Sequence, residues 1–544
     1  MIRFQNKVIA VKDLPSPALG FGLVLQLAFA GCIQNVGEPA PLPMGTGPEL
    51  DFNLRQELMR HPVDGDPYGG RGLFDGQPWE SPLQQIQEDP VAQLGMQLFY
   101  STHLSGQGDV ACVTCHVNSL GGGDARVLPL GPGGDAPEVM GPTRKLQVNG
   151  AGRPVPRNSP TMFNAAAWDR CLLSDCRIEA LGAEPLQGGD DGNGISTPDV
   201  GHGREDPDAQ GSLLHAHLRF PLNSEIVMRG LRYPEMTSLE YADCLTETLS
   251  GHGDCADLMQ TVHNVAATDN PWPVRFAQTF QPGFDPTNPS DLAGAHEAVT
   301  LENLFTALEA YEHTLSFADT PFRAYLAGED SAMTESQKRG AIWFFREPAF
   351  GGAGCAKCHL GDFFSDEKMH NVGLVQIGPG TGAGSLGDAD WGRGGVTKRS
   401  EDRFRFRTPT LLNIEVTGPY GHNGAYDTLE EVIWAHLEPV AAYEAYDFEQ
   451  APFTASPANA RFNSEAALRA LQADLDYPFV EVSNGVLGDM VSFMRALTDP
   501  CVQDRNCLAP FDPFQAGLDA PNMGLLHPRD EKGCSLLLEN GGCP

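Results

Sequence analysis

Ala111-Cys112-Val113-Thr114-Cys115-His116 reads C-x-x-C-H, and the pattern returns at Cys355-Ala356-Lys357-Cys358-His359. Two thiols at this spacing can each take one vinyl group of a haem. The imidazole that follows then stands ready to bind the iron from one face. A zinc site would need two further Cys or His at ligand spacing nearby, and neither stretch has them. Two full copies, each followed by a Gly-rich polar loop, point to two covalently bound haem c groups. One is attached through Cys112, Cys115 and His116, the other through Cys355, Cys358 and His359.

A chain of 544 residues has room for two or three domains. Its 61 Gly and 43 Pro imply long irregular connections, which suit small haem domains in which the cofactor replaces part of the core. The formal net charge of −35 repels nucleic acid and anionic lipid headgroups. It favours a basic partner, such as a basic electron-donor cytochrome, although solubility alone explains it equally well.

The first thirty-one residues read as an export signal. Arg3, Lys7 and Lys12 precede an apolar run over 18–30, and Phe29-Ala30-Gly31-Cys32 resembles a lipobox. The expected location is the periplasm, with attachment to the outer membrane through a lipid anchor at Cys32. The alternative is plain signal-peptidase cleavage nearby, with Cys32 incidental. The run is short for a transmembrane helix, and no other stretch qualifies. Of the 13 cysteines, eight lie outside the haem motifs and Cys32. They fall into close pairs: Cys171 with Cys176, Cys244 with Cys255, Cys501 with Cys507, and Cys534 with Cys543. Local disulfides in an oxidising compartment are expected, although the spacing does not exclude other connectivities.

In chain order, residues 32–85 read as an irregular tether and 86–298 as an N-terminal haem domain. Residues 299–498 read as a C-terminal haem domain, and 499–544 as a Cys-containing, disulfide-tied tail. Asp89, Pro90 and the apolar positions Val91, Leu94, Leu98 and Phe99 predict a helix over 89–100. Residues 182–210 read as a solvated insertion. Its Asp190-Asp191-Gly192-Asn193-Gly194 run lacks the spaced ligands of a calcium-binding EF-hand loop. Residues 212–228 read as helix and turn, carrying His215, His217 and Glu225. Periodicity predicts a helix over 299–326, a helix opening at Thr334, a helix from Thr428 that carries His436, and a last helix over 484–497. Alternating apolar runs are few. The fold class is mainly α: two cytochrome c-like haem domains packed face to face, with long coil insertions.

Several further segments fall in one order along the chain. They are Leu94-Gly95-Met96-Gln97-Leu98-Phe99-Tyr100, Leu104-Ser105-Gly106, Arg157-Asn158-Ser159-Pro160-Thr161, Trp168-Asp169-Arg170, Arg407-Thr408-Pro409, and residues 417–424 followed by Thr428-Leu429-Glu430-Glu431. With both haem motifs, they make the chain resemble the bacterial dihaem cytochrome c peroxidases. The wider group includes the MauG and MbnH protein-modifying enzymes. The resemblance spans roughly residues 90 to 497.

The resemblance implies that the N-terminal haem, on His116, meets peroxide, and that the C-terminal haem, on His359, receives and stores electrons. Trp168 matches a tryptophan between the two haems. Asn158, Thr417 and Pro419 match positions that hold one calcium ion through a side-chain amide and backbone carbonyls, ligands that suit calcium. Counting along the matched helix from His422 puts His436 opposite His359, where the family carries Met, Tyr or His. Members that need reductive activation carry a removable His after the first motif. Residues 117–156 contain none, so the first iron is expected to be open. Glu225 stands near the family's distal acid, off by one in local spacing. His215 lies where a polar distal residue would sit.

The expected function is an exported peroxidase that reduces hydrogen peroxide with electrons from a small donor, a cytochrome or cupredoxin. Oxidation of a protein side chain, as in MauG and MbnH, is the second reading. A non-enzymatic dihaem electron carrier is the third.

Overall fold

Asp89 caps the helix Pro90–Phe99. Its side chain accepts from the Val91 N–H at 2.8 Å, and Pro90 fills the first turn, where no backbone donor is needed. The helix buries Leu94, Met96, Leu98 and Phe99 and packs on a second helix, Leu301–Thr314. Gly95 makes the approach possible, because a Cβ there would stand 1.8 Å from the Ala307 carbonyl oxygen. The same device recurs between the helices Glu335–Phe345 and Asn484–Arg495. There a Cβ on Gly340 would stand 1.9 Å from the Asp489 carbonyl oxygen. This computed structural model describes residues 44–60, 82–146, 154–180, 195–196, 213–223, 225–228, 231–234, 239–255, 257–454, 456–472, 480, 483–538 and 543.

The described chain is mainly α and builds two hydrophobic cores. The first gathers Leu94, Leu98 and Phe99 with Trp272, Phe276, Leu304, Leu308 and Tyr311. The second gathers Phe322, Ile342, Phe344, Phe345, Met490 and Phe493, with Phe344 and Phe493 at 5.2 Å between ring centroids. The three sheets among the described residues are short and antiparallel. Cys171–Leu172, Ile178–Ala180 and Ile195–Ser196 form one, Glu225–Met228 pairs with Leu231–Pro234, and Met369–His370 pairs with Phe406–Arg407.

Four expectations are corrected. Part of the stretch read as an irregular tether is the helix Pro48–Arg60, whose Leu50, Leu54 and Leu58 enter the second core. Arg346 pairs with Glu57 at 2.8 Å and Lys338 with Asp51 at 2.6 Å, which fixes it there. The helix expected over 299–326 is two helices, Leu301–Thr314 and Pro321–Leu326. Thr320 caps the second and Pro321 opens it. The first of them belongs to the first core rather than opening the C-terminal half. Finally, Glu225 begins a strand, not a helix or turn.

The Cys-containing tail also returns to the first core, where Val502, Leu508, Phe511 and Met523 are buried. Backbone bonds from Thr102 to Gly524 and from Leu526 to Tyr100 secure it, at 3.0 and 2.8 Å. The four expected disulfides are present. Among the described residues no helix is long and apolar enough to cross a membrane. The signal segment, Cys32 and the Asp190–Gly194 run lie outside the described residues.

Candidate functional site

Cys112–Thr114 is a single 3-10 turn, and the His116 N–H returns to the Cys112 carbonyl at 3.1 Å. This closes the C-x-x-C-H loop and brings both thiols and the imidazole to one side. The His116 ring Nδ1 lies 3.2 Å from the Gly122 carbonyl, so it donates there and Nε2 is left for a metal. Burial lowers the imidazole to about 4 despite that bond, which keeps it neutral, the form a metal requires. Two side chains from the Asn158-Ser159-Pro160-Thr161 stretch brace the loop. Ser159 Oγ donates to the Cys115 carbonyl at 2.8 Å, and Thr161 Oγ1 donates to the Gly121 carbonyl at 2.7 Å.

The second loop repeats this construction. The His359 N–H bonds to the Cys355 carbonyl at 2.9 Å, and the His359 Nδ1 donates to Phe364 O at 3.0 Å. Thr410 Oγ1 donates to Phe363 O and Ser365 Oγ to Thr408 O, both at 2.7 Å, so the Arg407-Thr408-Pro409-Thr410 stretch braces it. Burial lowers His359 to about 4, and a second imidazole, His436, adds to the shift. His436 lies on the helix Leu429–Leu437 and is itself lowered by burial. Its Nδ1 lies 2.7 Å from the Val432 carbonyl. The structure therefore brings His359 and His436 together, each with one ring nitrogen committed to a carbonyl. Asp366 and His370 gather with Cys358, their ligand atoms within 4.8 Å of one another.

The residues fit haem c at both loops. Among the described residues the four cysteines outside the disulfides are Cys112, Cys115, Cys355 and Cys358. Burial pushes the Cys112 thiol well up and Cys355 up to about 12, so neither is a resting thiolate. Cys112 packs on the first core and Cys355 on the second.

Trp168 packs against both cores, and among the described residues it alone does so. Phe363 meets it edge-on at 4.7 Å between ring centroids, and the Arg407 guanidinium lies over its face. Arg407 also donates to the Cys171 carbonyl at 2.6 Å. Nearby, the buried Arg157 reaches Asp390 at 2.7 Å and Asp175 at 2.6 Å. Burial works to raise both carboxyls, but the charge and hydrogen bonds of Arg157, joined by Arg177 at Asp175 and by His422 and the Gly392 N–H at Asp390, together hold them below the usual range.

Of the other expected site residues, Asn158 and Pro419 are brought together. The Asn158 amide donates to the Pro419 carbonyl at 2.5 Å, while the Thr417 hydroxyl donates to Ile414 O at 3.2 Å. His215 faces the helix Leu301–Thr314, with Nδ1 3.2 Å from Glu309 and its ring against Phe305. The backbone of Glu225 pairs with Pro234, and its side chain lies outside the described residues. Sequence reasoning passed over the Arg157 cluster, for which the separation of its partners left no local signal. It noted His217 without giving it a role.

Two C-x-x-C-H loops, each with a half-buried neutral imidazole, define a protein that carries two haem c groups. The model of the di-haem cytochrome c peroxidase family matches residues 89–331. The chain is 30% identical to the cytochrome c551 peroxidase of Nitrosomonas europaea over 348 residues, 63% of this chain and 71% of that protein. It is 28% identical to a cytochrome-c peroxidase of Denitromonas iodatirespirans, covering 63% of this chain and 71% of that one. With the methylamine utilization protein MauG of Methylorubrum extorquens it shares 25% identity, over 70% of this chain and 78% of that one. The chain belongs to the di-haem cytochrome c peroxidase family. It is a di-haem peroxidase, an oxidoreductase that uses peroxide and draws on a redox partner.

Proposed function

We propose that the two haem sites divide the reaction. His116 would hold the haem that meets hydrogen peroxide, and His359 with His436 would hold the haem that receives electrons from a small cytochrome or cupredoxin. The bound haem groups supply the iron that takes up peroxide and passes electrons. Cys112 and Cys115 tether one group against the first core, and Cys355 and Cys358 tether the other against the second. His116 and His359 orient their rings through the Gly122 and Phe364 carbonyls, and Trp168 couples the two halves. The observation that carries this reading is that Trp168 packs on both cores, with one haem loop packed on each. It favours two cytochrome c-like domains facing each other across that side chain.

Finer assignments rest on the resemblance and on local geometry. One calcium ion would be held by the Pro419 and Thr417 carbonyls with the side-chain oxygen of Asn158, which stands beside Pro419. Glu225 would act on peroxide as the distal acid. Export to the periplasm agrees with the four disulfides, and lipidation at Cys32 would follow from the lipobox-like Phe29-Ala30-Gly31-Cys32.

A second reading, oxidation of a protein side chain as in the MauG branch, is favoured by the lack of His over 117–156. Steady-state peroxide consumption with a reduced small cytochrome separates the two. Rapid turnover that slows in Trp168→Leu supports the peroxidase reading. Slow turnover, with a long-lived near-infrared band after peroxide, supports the second.

A further inference from the structure

His215 and His217 share the helix Leu213–Asn223. Two positions along an α-helix turn a side chain through about 200°, so the two imidazoles leave from opposite faces. His215 is engaged with Glu309 and Phe305 on the helix Leu301–Thr314. His217 therefore leaves from the opposite face, its ring half-buried and its Nδ1 shielded from solvent. Burial lowers the ring to about 3, and His116, then Arg177 and Arg407, lie near enough to add to that shift.

The two haem loops now show a common pattern. His359 has His436 as its imidazole neighbour, and His116 has His217. One detail separates the pairs. Imidazoles that ligate a metal nearly always donate their second ring nitrogen to a fixed acceptor, which sets their orientation. His116, His359 and His436 each have Nδ1 on a backbone carbonyl, at 3.2, 3.0 and 2.7 Å. His217 does not. Its Nδ1 is buried and has no hydrogen-bond partner among the described residues. A buried polar nitrogen without a partner costs about 1–3 kcal/mol, and such groups mark places where water or a ligand completes the bonding.

We propose that His217 is the hydrogen-bonding partner of peroxide on the open side of the His116 site, and that it is not an iron ligand. This rests on the reading that the His116 iron is open. It goes beyond that reading by naming the group that meets the incoming molecule. His217 carries the orienting contact that His215 was expected to make. It is held on a helix, with no acceptor on its Nδ1 among the described residues.

The test uses the haem-loaded protein and two variants, His217→Leu and His217→Gln. Fluoride is the probe, because a small anion on an open ferric site depends on a distal hydrogen-bond donor. The expected results are an unchanged resting spectrum in both variants, fluoride affinity at least tenfold weaker in His217→Leu, and partial recovery in His217→Gln. Peroxide should react about 10²-fold more slowly or worse with His217→Leu, the range for loss of a positioned polar group. Unaltered fluoride affinity in His217→Leu with full covalent haem content overturns the proposal. So does a change in the spin state of either haem on replacing His217, which would make it a ligand, and so does finding the loss in His215→Leu instead. If His217→Leu fails to load haem, the fluoride affinity of His217→Gln decides: equal to wild type rejects the proposal, weaker supports it. A wild-type protein that binds no fluoride at all would instead refute the open His116 site, a separate failure.

Discussion

The Arg407 guanidinium carbon sits 3.2 Å from the centroid of the Trp168 ring. A positive charge on an indole face stabilises the neutral ring, by about 2 kcal/mol when the pair is desolvated, and opposes removal of an electron from it. The cation over its face therefore makes Trp168, which packs on both cores, harder to oxidise. Arg407→Leu should lower stability by about 1–3 kcal/mol in denaturant titrations, since it loses the stacking and the bond to Cys171. Arg407→Lys should recover part of that. A tryptophan radical after peroxide, seen by electron paramagnetic resonance, should be stronger in Arg407→Leu than in wild type. No difference would show that the cation does not tune the ring.

Gly95→Ala should be among the most damaging single-methyl changes in the chain. The new Cβ would meet the Ala307 carbonyl oxygen at 1.8 Å, so the helices Pro90–Phe99 and Leu301–Thr314 must separate. Overpacking of this kind costs about 1–3 kcal/mol and sometimes more. Thermal unfolding followed at the haem absorbance checks it, with Gly488→Ala, which meets no atom within 4 Å, as the mild control.

Removing Arg157 should leave the buried Asp390 without its cation and Asp175 with Arg177, at 3.2 Å. Arg157→Met is expected to cost about 3–5 kcal/mol, the range for breaking a buried pair. Adding Asp390→Asn should return much of that loss, because that carboxylate is then no longer charged, while Asp175 keeps Arg177. Urea titrations of the single and double variants measure the difference.

Three histidines lowered by burial should withdraw stability between pH 7 and pH 5, against a gain from Asp124 and Asp512, which burial pushes up to about 7. Burial lowers His103 to about 3, with His263 adding to the shift, and it lowers His263 and His422 to about 4 each. Unfolded, each titrates near 6.5. The unfolded chain therefore binds more protons at these three sites between roughly pH 4 and 6.5, so their contribution is full above 6.5 and is lost as pH falls through that window. His103→Gln can still accept from Trp272 Nε1, which lies 2.9 Å from His103 Nδ1. It should remove about 1–2 kcal/mol of that loss between pH 7 and 5.

Much of this molecule is legible in the sequence where the signals are local. The C-x-x-C-H loops, the Asp89 cap with Pro90, the Thr334 and Thr428 capping boxes and the four close cysteine pairs all act within a few residues, and each is found in place. Long-range placement is not legible. The tail's return to Tyr100 and Thr102 rests on backbone bonds across more than four hundred residues. No periodicity encodes that the helix Leu301–Thr314 joins the first core. The helix Pro48–Arg60 did leave a signal: Leu50, Leu54 and Leu58 recur at four-residue steps. His217 could have been separated from His215 by helix phase alone, but which of the two meets Glu309 and Phe305 needed the helix Leu301–Thr314 in place.

The most direct test of the central claim, that the two haem sites are unequal, is low-temperature electron paramagnetic resonance of the oxidised, haem-loaded protein beside His436→Ala. One high-spin and one low-spin ferric signal are expected in the wild type, with only the low-spin signal altered in the variant. Two low-spin signals in the wild type, or a low-spin signal that survives unchanged in His436→Ala, would contradict it.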